Sequence, residues 1–272
     1  MSGRKRIKTF VHGTCPYIWL KIFNPHSPKL NGYKYLKEHG YTHHPYDFAG
    51  KYLKASVIIE KDEARDLFYV KHSGNKKLYY PRGYTEKKIE GNYRALRIEQ
   101  DINHGHHYLD SLDEVTGKVF LDIGSAEGMT SLDVIEKVKR VYLFEFEPGW
   151  VEALQATFEP WKGKVVIVNR YVGKSCTDLC ITLDEFFKDK PKDSLFLKMD
   201  IEGAECEALE GADRLFQEAT NFSFAICTYH RRNDEKQISA YLDRHNCSYS
   251  AREGYMYVKH RFRTALVYGG RD

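Results

Sequence analysis

From about residue 118 to residue 245, short apolar runs alternate with longer stretches that have helical periodicity. Short apolar strands joined by helices predict a parallel sheet that is covered by helices on both faces. Two later runs follow one another with no helix between them, so we expect them to pair antiparallel at the sheet edge. The sequence therefore predicts an α/β fold with a doubly wound, mostly parallel, seven-stranded sheet. The strand runs are "KVFLDIG" (118–124), "RVYLFEF" (140–146), "KVVIVN" (164–169), "SLFLKMD" (194–200), "FSFAICTY" (222–229), "SYSAREGYMYVK" (248–259) and "FRTALVYGG" (262–270), and the helices lie at about 127–138, 149–159, 203–218 and 233–245.

The first 115 residues differ in composition, because they are rich in Tyr, Lys and His and carry no lasting helical stripe. "DLFYVKHSGNKKLYY" (66–80) has two short runs around Ser-Gly-Asn, a pattern typical of a β-hairpin. "YTEKKIEGNYRALRIEQ" (84–100) predicts a helix with Thr85 as its N-cap. We therefore assign residues 1–115 to an N-terminal α+β appendage that covers a site or forms a dimer contact. Residues 116–272 form the α/β domain.

The formal net charge of the 272-residue chain is +4 at pH 7, and part of it comes from "GRKRIK" at residues 3–8. A short basic run is usually a solvated tail, so the charge does not favour nucleic-acid binding. Six scattered cysteines are typical of reduced thiols rather than of a disulfide framework. No run of about eighteen apolar residues occurs, which excludes a membrane span, and we find no targeting segment. We expect a soluble, cytoplasmic protein.

Ligands of doubly wound sheets bind at the carboxyl ends of the strands, so each strand end is a candidate site. The first strand ends in "LDIGSAEGMTS" (121–131), where Gly124 permits a tight turn. A dinucleotide fingerprint requires glycines at positions one, three and six, and here these positions hold Gly124, Ala126 and Met129. Asp122 would repel an anion and suits a cationic ligand. This strand end therefore argues against a pyrophosphate, with a plain strand-to-helix turn as the alternative.

The second strand ends in "YLFEFEPGW" (142–150). Glu145 and Glu147 lie 21 and 23 residues after Gly124, where an acid can accept hydrogen bonds from a ribose diol. We favour Glu145, because it stands where the apolar run stops. Glu147 precedes a proline and would instead suit the start of the next helix. A one-residue error in register would exchange the two roles.

The fourth strand runs into "LFLKMDIEGAE" (195–205), in which an apolar run meets several charges. Glu202 and Glu205 lie near the start of the next helix, where acids are favoured by the helix dipole. Asp200 and Lys198 are harder to explain in this way, because buried charges need partners or a function.

The fifth strand ends in "TYHRRND" (228–234). Asn233 is a suitable helix cap. His230 stands one residue beyond the strand, and we expect it to point into the same cleft as Asp200.

The ordered set "FLDIGSAEG", "VYLFEFEP", "ITLDEF" and "LKMDIEGAE" resembles the FkbM family of S-adenosylmethionine (SAM)-dependent methyltransferases. In that family a Lys-x-Asp-x-Glu-Gly-x-Glu block follows a Thr-Leu-Asp. The resemblance covers residues 118 to about 268 and implies the Rossmann-like class I methyltransferase fold. It also implies O-methylation of a hydroxyl on a sugar or other glycan or natural-product acceptor. Ser125 and Ala126 replace the Ala-Asn common in the family, so only backbone contacts are expected there.

SAM as cofactor agrees with the strand-end residues, since it carries a sulfonium, an ammonium, a carboxylate and a ribose diol. We expect Asp122 and Asp200 to face the cationic groups and Glu145 to bind the ribose. The adenine is expected near Tyr171 and Val172. The backbone of the first loop would bind the methionine carboxylate, and this loop comprises Gly124, Ser125, Ala126, Glu127 and Gly128.

Methyl transfer to a hydroxyl benefits from a base that removes the proton. Our hypothesis makes His230 or Asp200 this base, with Glu202 orienting the acceptor. A metal held by the same three residues is an alternative. "HGHH" (104–107) is expected to be solvated, or alternatively to wall the SAM pocket.

Two other functions compete with methyl transfer. One is a non-catalytic protein of the same fold, whose basic, Tyr-rich N-terminal half binds nucleic acid or a protein partner. The other is a nicotinamide-dependent oxidoreductase, which the glycine spacing does not support.

Overall fold

The computed structural model describes residues 9–271, so the basic run at residues 3–8 lies outside the described residues. No helix among the described residues is long and apolar enough to cross a membrane. A π-helical turn, Phe10–Thr14, precedes the first α-helix. The α-helices are α1 (Cys15–Phe23), α2 (Leu30–His39), α3 (Ala49–Lys54), α4 (Glu86–Glu99), α5 (Met129–Val134), α6 (Pro148–Phe158), α7 (Leu183–Phe186), α8 (Glu205–Glu210), α9 (Asp213–Glu218) and α10 (Asp234–Arg244). The strands are β1 (Ile59–Asp62), β2 (Leu67–His72), β3 (Lys76–Tyr79), β4 (Val119–Ile123), β5 (Arg140–Phe144), β6 (Val165–Val168), β7 (Tyr171–Val172), β8 (Cys180–Ile181), β9 (Asp193–Met199), β10 (Thr220–Cys227), β11 (Ser248–Ala251), β12 (Met256–Val258), β13 (Arg261–Arg263) and β14 (Leu266–Arg271).

A seven-stranded sheet forms the centre of the molecule, in the order β11-β14-β10-β9-β4-β5-β6. The neighbours from β10 to β6 pair in parallel, and β14 pairs antiparallel with both β10 and β11. The predicted α/β fold with a mostly parallel seven-stranded sheet is therefore confirmed.

The predicted antiparallel pair at the sheet edge is present as β11 and β14, but its length was overestimated. The chain leaves the sheet after Ala251 and turns at Gly254, whose φ is +103°. The later part of the predicted strand pairs with the following residues as a separate hairpin, β12–β13. In this hairpin Tyr257 and Phe262 pack with Leu36 of α2, which ties the N-terminal helices to the α/β domain.

Strands β4 and β9 are buried on both faces of the sheet. Alternate residues of a strand point to opposite faces, and in these two strands both sets contain apolar side chains. On one face the rings of Phe120 and Phe196 stack with their centroids 5.3 Å apart. On the other face Leu121 and Leu197 belong to a second apolar cluster. Because both faces are covered, polar residues lie at the carboxyl ends of the strands, which meet at one edge of the sheet.

The predicted hairpin is formed by β2 and β3, which are joined through Ser73–Asn75 and extended by β1 into a three-stranded antiparallel sheet. Helix α4 follows, and the hydroxyl of Thr85 accepts a hydrogen bond from the backbone N–H of Lys88 at 3.3 Å, as expected for an N-cap. The small sheet packs through Tyr69 and Tyr79 against Ala153 of α6.

Two predicted helices differ in extent from those observed, and a third differs in its cap. The helix expected at about 127–138 is the shorter α5, Met129–Val134. The stretch at 203–218 forms α8 and α9 with a break at Gly211, where an added Cβ would lie 2.2 Å from the carbonyl oxygen of Gly173. Asn233 occupies the N-cap position of α10, but its side chain makes no capping bond. Asp234 accepts a hydrogen bond from the backbone N–H of Arg231 instead.

Candidate functional site

A cavity of about 740 Å³ opens at the carboxyl ends of β4, β5 and β9, where ligands of doubly wound sheets bind. This cleft is large enough for a nucleoside-sized ligand. Its lining contains eight carboxylates and two permanent cations, so it favours a ligand that carries positive charge. The carboxylates belong to Glu99, Asp122, Glu127, Glu145, Glu147, Asp200, Glu202 and Glu207, and the cations to Lys198 and Arg170.

The loop after β4 brings the backbone unusually close to the end of β9. Gly124 has a φ of +78°, and an added Cβ would lie 2.0 Å from the carbonyl oxygen of Asp200. This position therefore requires glycine for conformation and for space.

The backbone amides of this loop already have partners within the protein. Those of Gly124 and Ser125 donate to the carbonyl of Phe144, and that of Gly128 donates to the carbonyl of Ser125. The amide of Ala126 donates to Glu145. The expected contact between this backbone and the methionine carboxylate is thus not supported at these four positions.

The expected first-loop residues are only partly brought to the cleft. Ser125, Ala126 and Glu127 line it together with Gly124. Gly128 has a φ of +72°, and an added Cβ would lie 2.7 Å from Leu154 of α6, so this glycine serves the packing of α6 against the loop.

Asp122 lines the cleft but is engaged by protein groups. Its Oδ1 lies 2.8 Å from Nζ of Lys198, its partner in register on β9, and its Oδ2 accepts a hydrogen bond of 2.6 Å from Ser131. Lys198 also donates to the carbonyl of Gly124 at 2.6 Å. Burial lowers the pKa of Lys198, but the charges of Asp122 and Asp200 outweigh it and hold the pKa above its ordinary value. The charge of Asp122 is therefore neutralised by lysine, which differs from the expected contact with the cofactor's cation.

Glu145 stands at the end of β5, at the position expected for a ribose ligand. Its Oε1 accepts the backbone amides of Phe146 and Glu147 at 2.8 and 2.9 Å, and its Oε2 accepts that of Ala126 at 2.9 Å. A carboxylate has about four acceptor positions, so one position on Oε2 stays open to a hydroxyl. Glu147 also lines the cleft, with an exposed side chain. The geometry thus fixes Glu145 in place and leaves Glu147 freer to turn.

The opposite end of the cleft is aromatic and apolar. The rings of Phe146 and Tyr171 stack with centroids 4.0 Å apart, and Val172 and Gly173 line the cleft beside them. A flat apolar heterocycle fits such a surface. Both residues expected near an adenine are therefore in the cleft.

Asp200 lies directly after β9 and is the centre of a polar network. Its Oδ2 accepts a hydrogen bond of 2.8 Å from Tyr108 and lies 3.5 Å from Nε2 of His106. Burial raises the pKa of Asp200, but His106 and the charges of Lys198 and His230 outweigh it and hold the pKa well below the ordinary value. Asp200 is thus a permanent negative charge at neutral pH and a weak proton acceptor.

His230 contacts carboxylates on both of its ring nitrogens. Nδ1 lies 2.9 Å from Glu205, and Nε2 lies 3.3 Å from Asp200 and 3.6 Å from Glu202. Burial lowers the pKa of His230, but the contact with Glu205 and the three negative charges outweigh it, so the pKa lies above its ordinary value. The structure therefore brings the three proposed catalytic residues together. Their electrostatics disfavour both His230 and Asp200 as the base, because the raised pKa of His230 favours its protonated form and the lowered pKa of Asp200 makes it a weak proton acceptor. It is the neighbouring Tyr229 that lines the cleft.

The metal alternative involves the same group of residues, with one exchange. Ligand atoms of Asp200, Glu205 and His230 lie within 4.8 Å of one another, whereas Glu202 does not belong to this group. Glu205 and Asp200 face opposite nitrogens of the ring. This arrangement is compatible with an imidazolium between two carboxylates and also with a metal-binding histidine, whose other nitrogen usually donates to a carboxylate.

The first expectation for "HGHH" is wrong, and a second feature of the site was missed. "HGHH" is buried rather than solvated, and His104 and His106 have almost no exposed surface. Glu99, the last residue of α4, lines the cleft and lies 3.6 Å from Nε2 of His44. Burial raises the pKa of Glu99 to about 7, reinforced by Asp200 and opposed by His106.

A family model described as the methyltransferase FkbM domain matches residues 59–257. The chain belongs to the FkbM family. The match confirms the family that the sequence motifs resemble, and SAM is the cofactor of this methyltransferase domain. The matched range also includes β1 to β3 and α4, which the sequence analysis placed in the appendage. No match was found among curated proteins.

Solved structures with similar folds include other methyltransferases. The methyltransferase FkbM from Methylobacillus flagellatus KT is 19% identical with a TM-score of 0.46, over 68% of this chain and 55% of that one. The magnesium protoporphyrin IX methyltransferase from Synechocystis PCC 6803 with bound SAM is 15% identical with a TM-score of 0.44, over 70% of this chain and 86% of that one. Both scores lie below 0.5, so the family assignment rests on the family model. The alignment spans just over half the length of the first relative.

The residues of the cleft fit SAM by their chemistry. Asp200 and the other carboxylates suit its two cationic groups, the open acceptor position of Glu145 suits a ribose hydroxyl, and the pair Phe146–Tyr171 suits adenine. The same acidic lining would repel the phosphates of a nicotinamide dinucleotide.

Proposed function

We propose that this protein is a SAM-dependent O-methyltransferase whose acceptor is a hydroxyl of a sugar, glycan or natural product. The observation that carries the proposal is the acidic cleft at the strand ends, with Glu145 held in place by three backbone amides. When bound, SAM supplies a methyl group activated by the positive sulfonium. The chain then has to bind the acceptor, orient it and take its proton.

The acceptor is inferred from the charge of the cleft. An acidic lining disfavours phosphorylated acceptors, including nucleic acid, and leaves a neutral hydroxyl compound as the best match. Tyr108 and Tyr229 line the cleft, and tyrosine rings are suitable surfaces for sugar rings. Glu202, whose side chain is 91% exposed at the cleft, is placed to orient such a hydroxyl.

We assign the role of the base that removes the acceptor's proton to Glu99 rather than to His230 or Asp200. Glu99 lines the same cleft, and a base works best when its pKa is near the working pH. Burial lowers the pKa of the neighbouring His44 to about 4, so this ring is neutral and does not hold Glu99 ionised as a cation would. In this scheme His230 is a positioning residue, whose ring lies between Glu205 on one side and Asp200 and Glu202 on the other.

The division of the chain follows from these roles. Residues 116–272 supply the cofactor side of the cleft, and the unit 1–115 covers its acceptor side through Leu96, Glu99, Gln100 and Tyr108. The six cysteines are free, which suits the reducing cytoplasm.

The cofactor part is tested by calorimetry with SAM on the purified protein. Glu145→Gln should weaken binding about tenfold, the effect of losing one charge-assisted hydrogen bond. Glu147→Gln should change the affinity less than threefold, and Glu63→Gln, an exposed acid away from the cleft, should not change it. A wild-type protein that does not bind SAM would refute the proposal.

The acceptor part is tested with SAM labelled in its methyl group. Sugars, oligosaccharides and phenolic compounds are incubated with the enzyme, and transfer of label to a hydroxyl is the expected result. Label on nitrogen, or on phosphorylated compounds alone, would contradict the acceptor class while leaving the cofactor result intact. A SAM-binding protein that methylates none of the acceptors would favour the non-catalytic alternative.

A further inference from the structure

The first 37 residues differ from the rest of the chain in charge. They contain eight Lys or Arg residues and no Asp or Glu, and the first acid is Glu38. The remaining residues carry 34 basic and 38 acidic side chains, which follows from the totals of 42 and 38. The net positive charge of the protein therefore comes from one short segment.

The described part of this segment exposes a concentrated apolar surface. Six large apolar side chains of the π-helical turn and α1 are between 48% and 69% exposed. We call them the apolar face, and they are Phe10, Val11, Ile18, Trp19, Ile22 and Phe23. Within α1, Ile18 and Trp19 are three to five residues from Ile22 and Phe23, which places these four side chains on neighbouring parts of the helix surface.

The opposite side of the helix is fixed to the protein. Leu20 is buried, and an added Cβ at Gly13 would lie 2.7 Å from the backbone nitrogen of Lys37 on α2. The helix thus packs closely on α2 through its inner side. The apolar face is therefore presented outward by a supported helix.

We propose that the apolar face binds the surface of an anionic lipid bilayer, with α1 lying in the headgroup region. A helix with Trp, Phe and Ile on one side and lysines nearby suits this interface. Lys21 lies on α1 itself, and Lys29, Lys34 and Lys37 follow on or beside α2, so the helices that present the apolar face also carry the positive charge that attracts negative headgroups. The protein would lie on the membrane, since no described helix can span it.

Other occupants match these observations less well. A second copy of the chain would cover the apolar face but would bring two positive segments together without acids to offset them. Nucleic acid would balance the charge but would leave Ile22 and Phe23 without an apolar partner. An anionic bilayer satisfies both requirements.

The proposal is tested by sedimentation with lipid vesicles, an assay that needs neither SAM nor methyl transfer. Vesicles of phosphatidylcholine with about one third phosphatidylglycerol should pellet the protein at about 0.05 M salt, and binding should fall at about 0.5 M salt. Vesicles of phosphatidylcholine alone should bind at least about tenfold less. Equal binding to both vesicles, or binding to neither, would overturn the proposal.

The apolar face is tested by the double variant Trp19→Ser/Phe23→Ser. It should lose about tenfold or more of the binding to anionic vesicles. The matched control, Leu112→Ser/Leu179→Ser, removes two exposed apolar side chains elsewhere and should bind like the wild type. Thermal unfolding and SAM affinity of both variants check that each has folded.

A second measurement does not depend on these serine variants. Tryptophan emission should shift to shorter wavelength with anionic vesicles, and the shift should be absent in Trp19→Phe/Phe23→Tyr. Light scattering tests for a dimer, and an RNA titration tests for nucleic-acid binding. A stable dimer or RNA binding that requires Trp19, without vesicle binding, would assign the face to that partner instead.

Discussion

Replacing Glu99 by glutamine should stabilise the protein at high pH while removing the proposed proton acceptor. The amide resembles the protonated carboxyl in shape but does not ionise. Glu99 keeps 20% of its side-chain exposure, and its pKa of about 7 compares with an ordinary value of 4.5. The folded protein therefore holds this proton more tightly than the unfolded chain.

The sign of the effect follows from this difference in pKa. Below pH 4.5 the carboxyl is protonated in both states and contributes no pH dependence. Between pH 4.5 and pH 7 the unfolded chain ionises first, so the free energy of unfolding falls as the pH rises. Above pH 7 both states are ionised, and the loss is complete.

The size of the effect is set by about 1.4 kcal/mol for each pKa unit. The span from 4.5 to about 7 corresponds to a maximum of about 3.4 kcal/mol. Partial exposure reduces this value, so we expect about 2 to 3 kcal/mol. Glu99→Gln should match the wild type near pH 4.5 and exceed it by this amount at pH 8.

Urea unfolding at pH 4.5, 6 and 8 measures the difference between the two proteins. Glu90→Gln on the same helix, an exposed acid paired with Arg94, is the control and should show no comparable gain at pH 8. A variant whose stability stays parallel to the wild type across the pH range would refute the argument about Glu99. Loss of methyl transfer with unchanged SAM affinity would support its role as the base.

Three further substitutions test the packing around the cleft. Asp122→Asn should leave Lys198 buried with a neutral partner and lower the free energy of unfolding by about 3 kcal/mol in urea; a change below about 1 kcal/mol would show that the pair is not needed. Gly124→Ala should destabilise the protein by more than about 3 kcal/mol, because the methyl group would overlap the carbonyl of Asp200; a near-wild-type melting temperature would contradict this close approach. Thr85→Ala should cost about 1 kcal/mol by removing the N-cap of α4, and an unchanged stability would mean that the capping bond has no net value.

The sheet and the polar residues at its strand ends were predictable because they depend on short-range patterns. An apolar run followed by an acid, as at Asp200 and Glu145, is visible in a few residues of sequence. Strand order then brings these ends together, since carboxyl ends of neighbouring parallel strands share one edge. Tyr171 and Val172, expected near the end of the third strand, line the same cleft.

The acceptor side was not predictable, because it depends on contacts between distant parts of the chain. Glu99 and Tyr108 line the cleft from outside the repeating strand–helix pattern, and nothing local distinguishes Glu99 from the other acids of a helix. The hydrogen-bond partners of the loop amides could not be predicted from the sequence either. The amides of the loop at Gly124 look free in the sequence, but they are engaged by the end of β5.

The place of β14 in the sheet has a consequence for the order of synthesis. This strand is the nearest of the described strands to the C-terminus, yet it lies between β10 and β11 and pairs with both. While the chain emerges from the ribosome, β10 keeps one unpaired edge and β11 has no place in the sheet. An edge of this kind is a template for pairing with other chains. Nascent chains should therefore need protection of this edge until residues 266–271 have left the ribosome and the sheet can close.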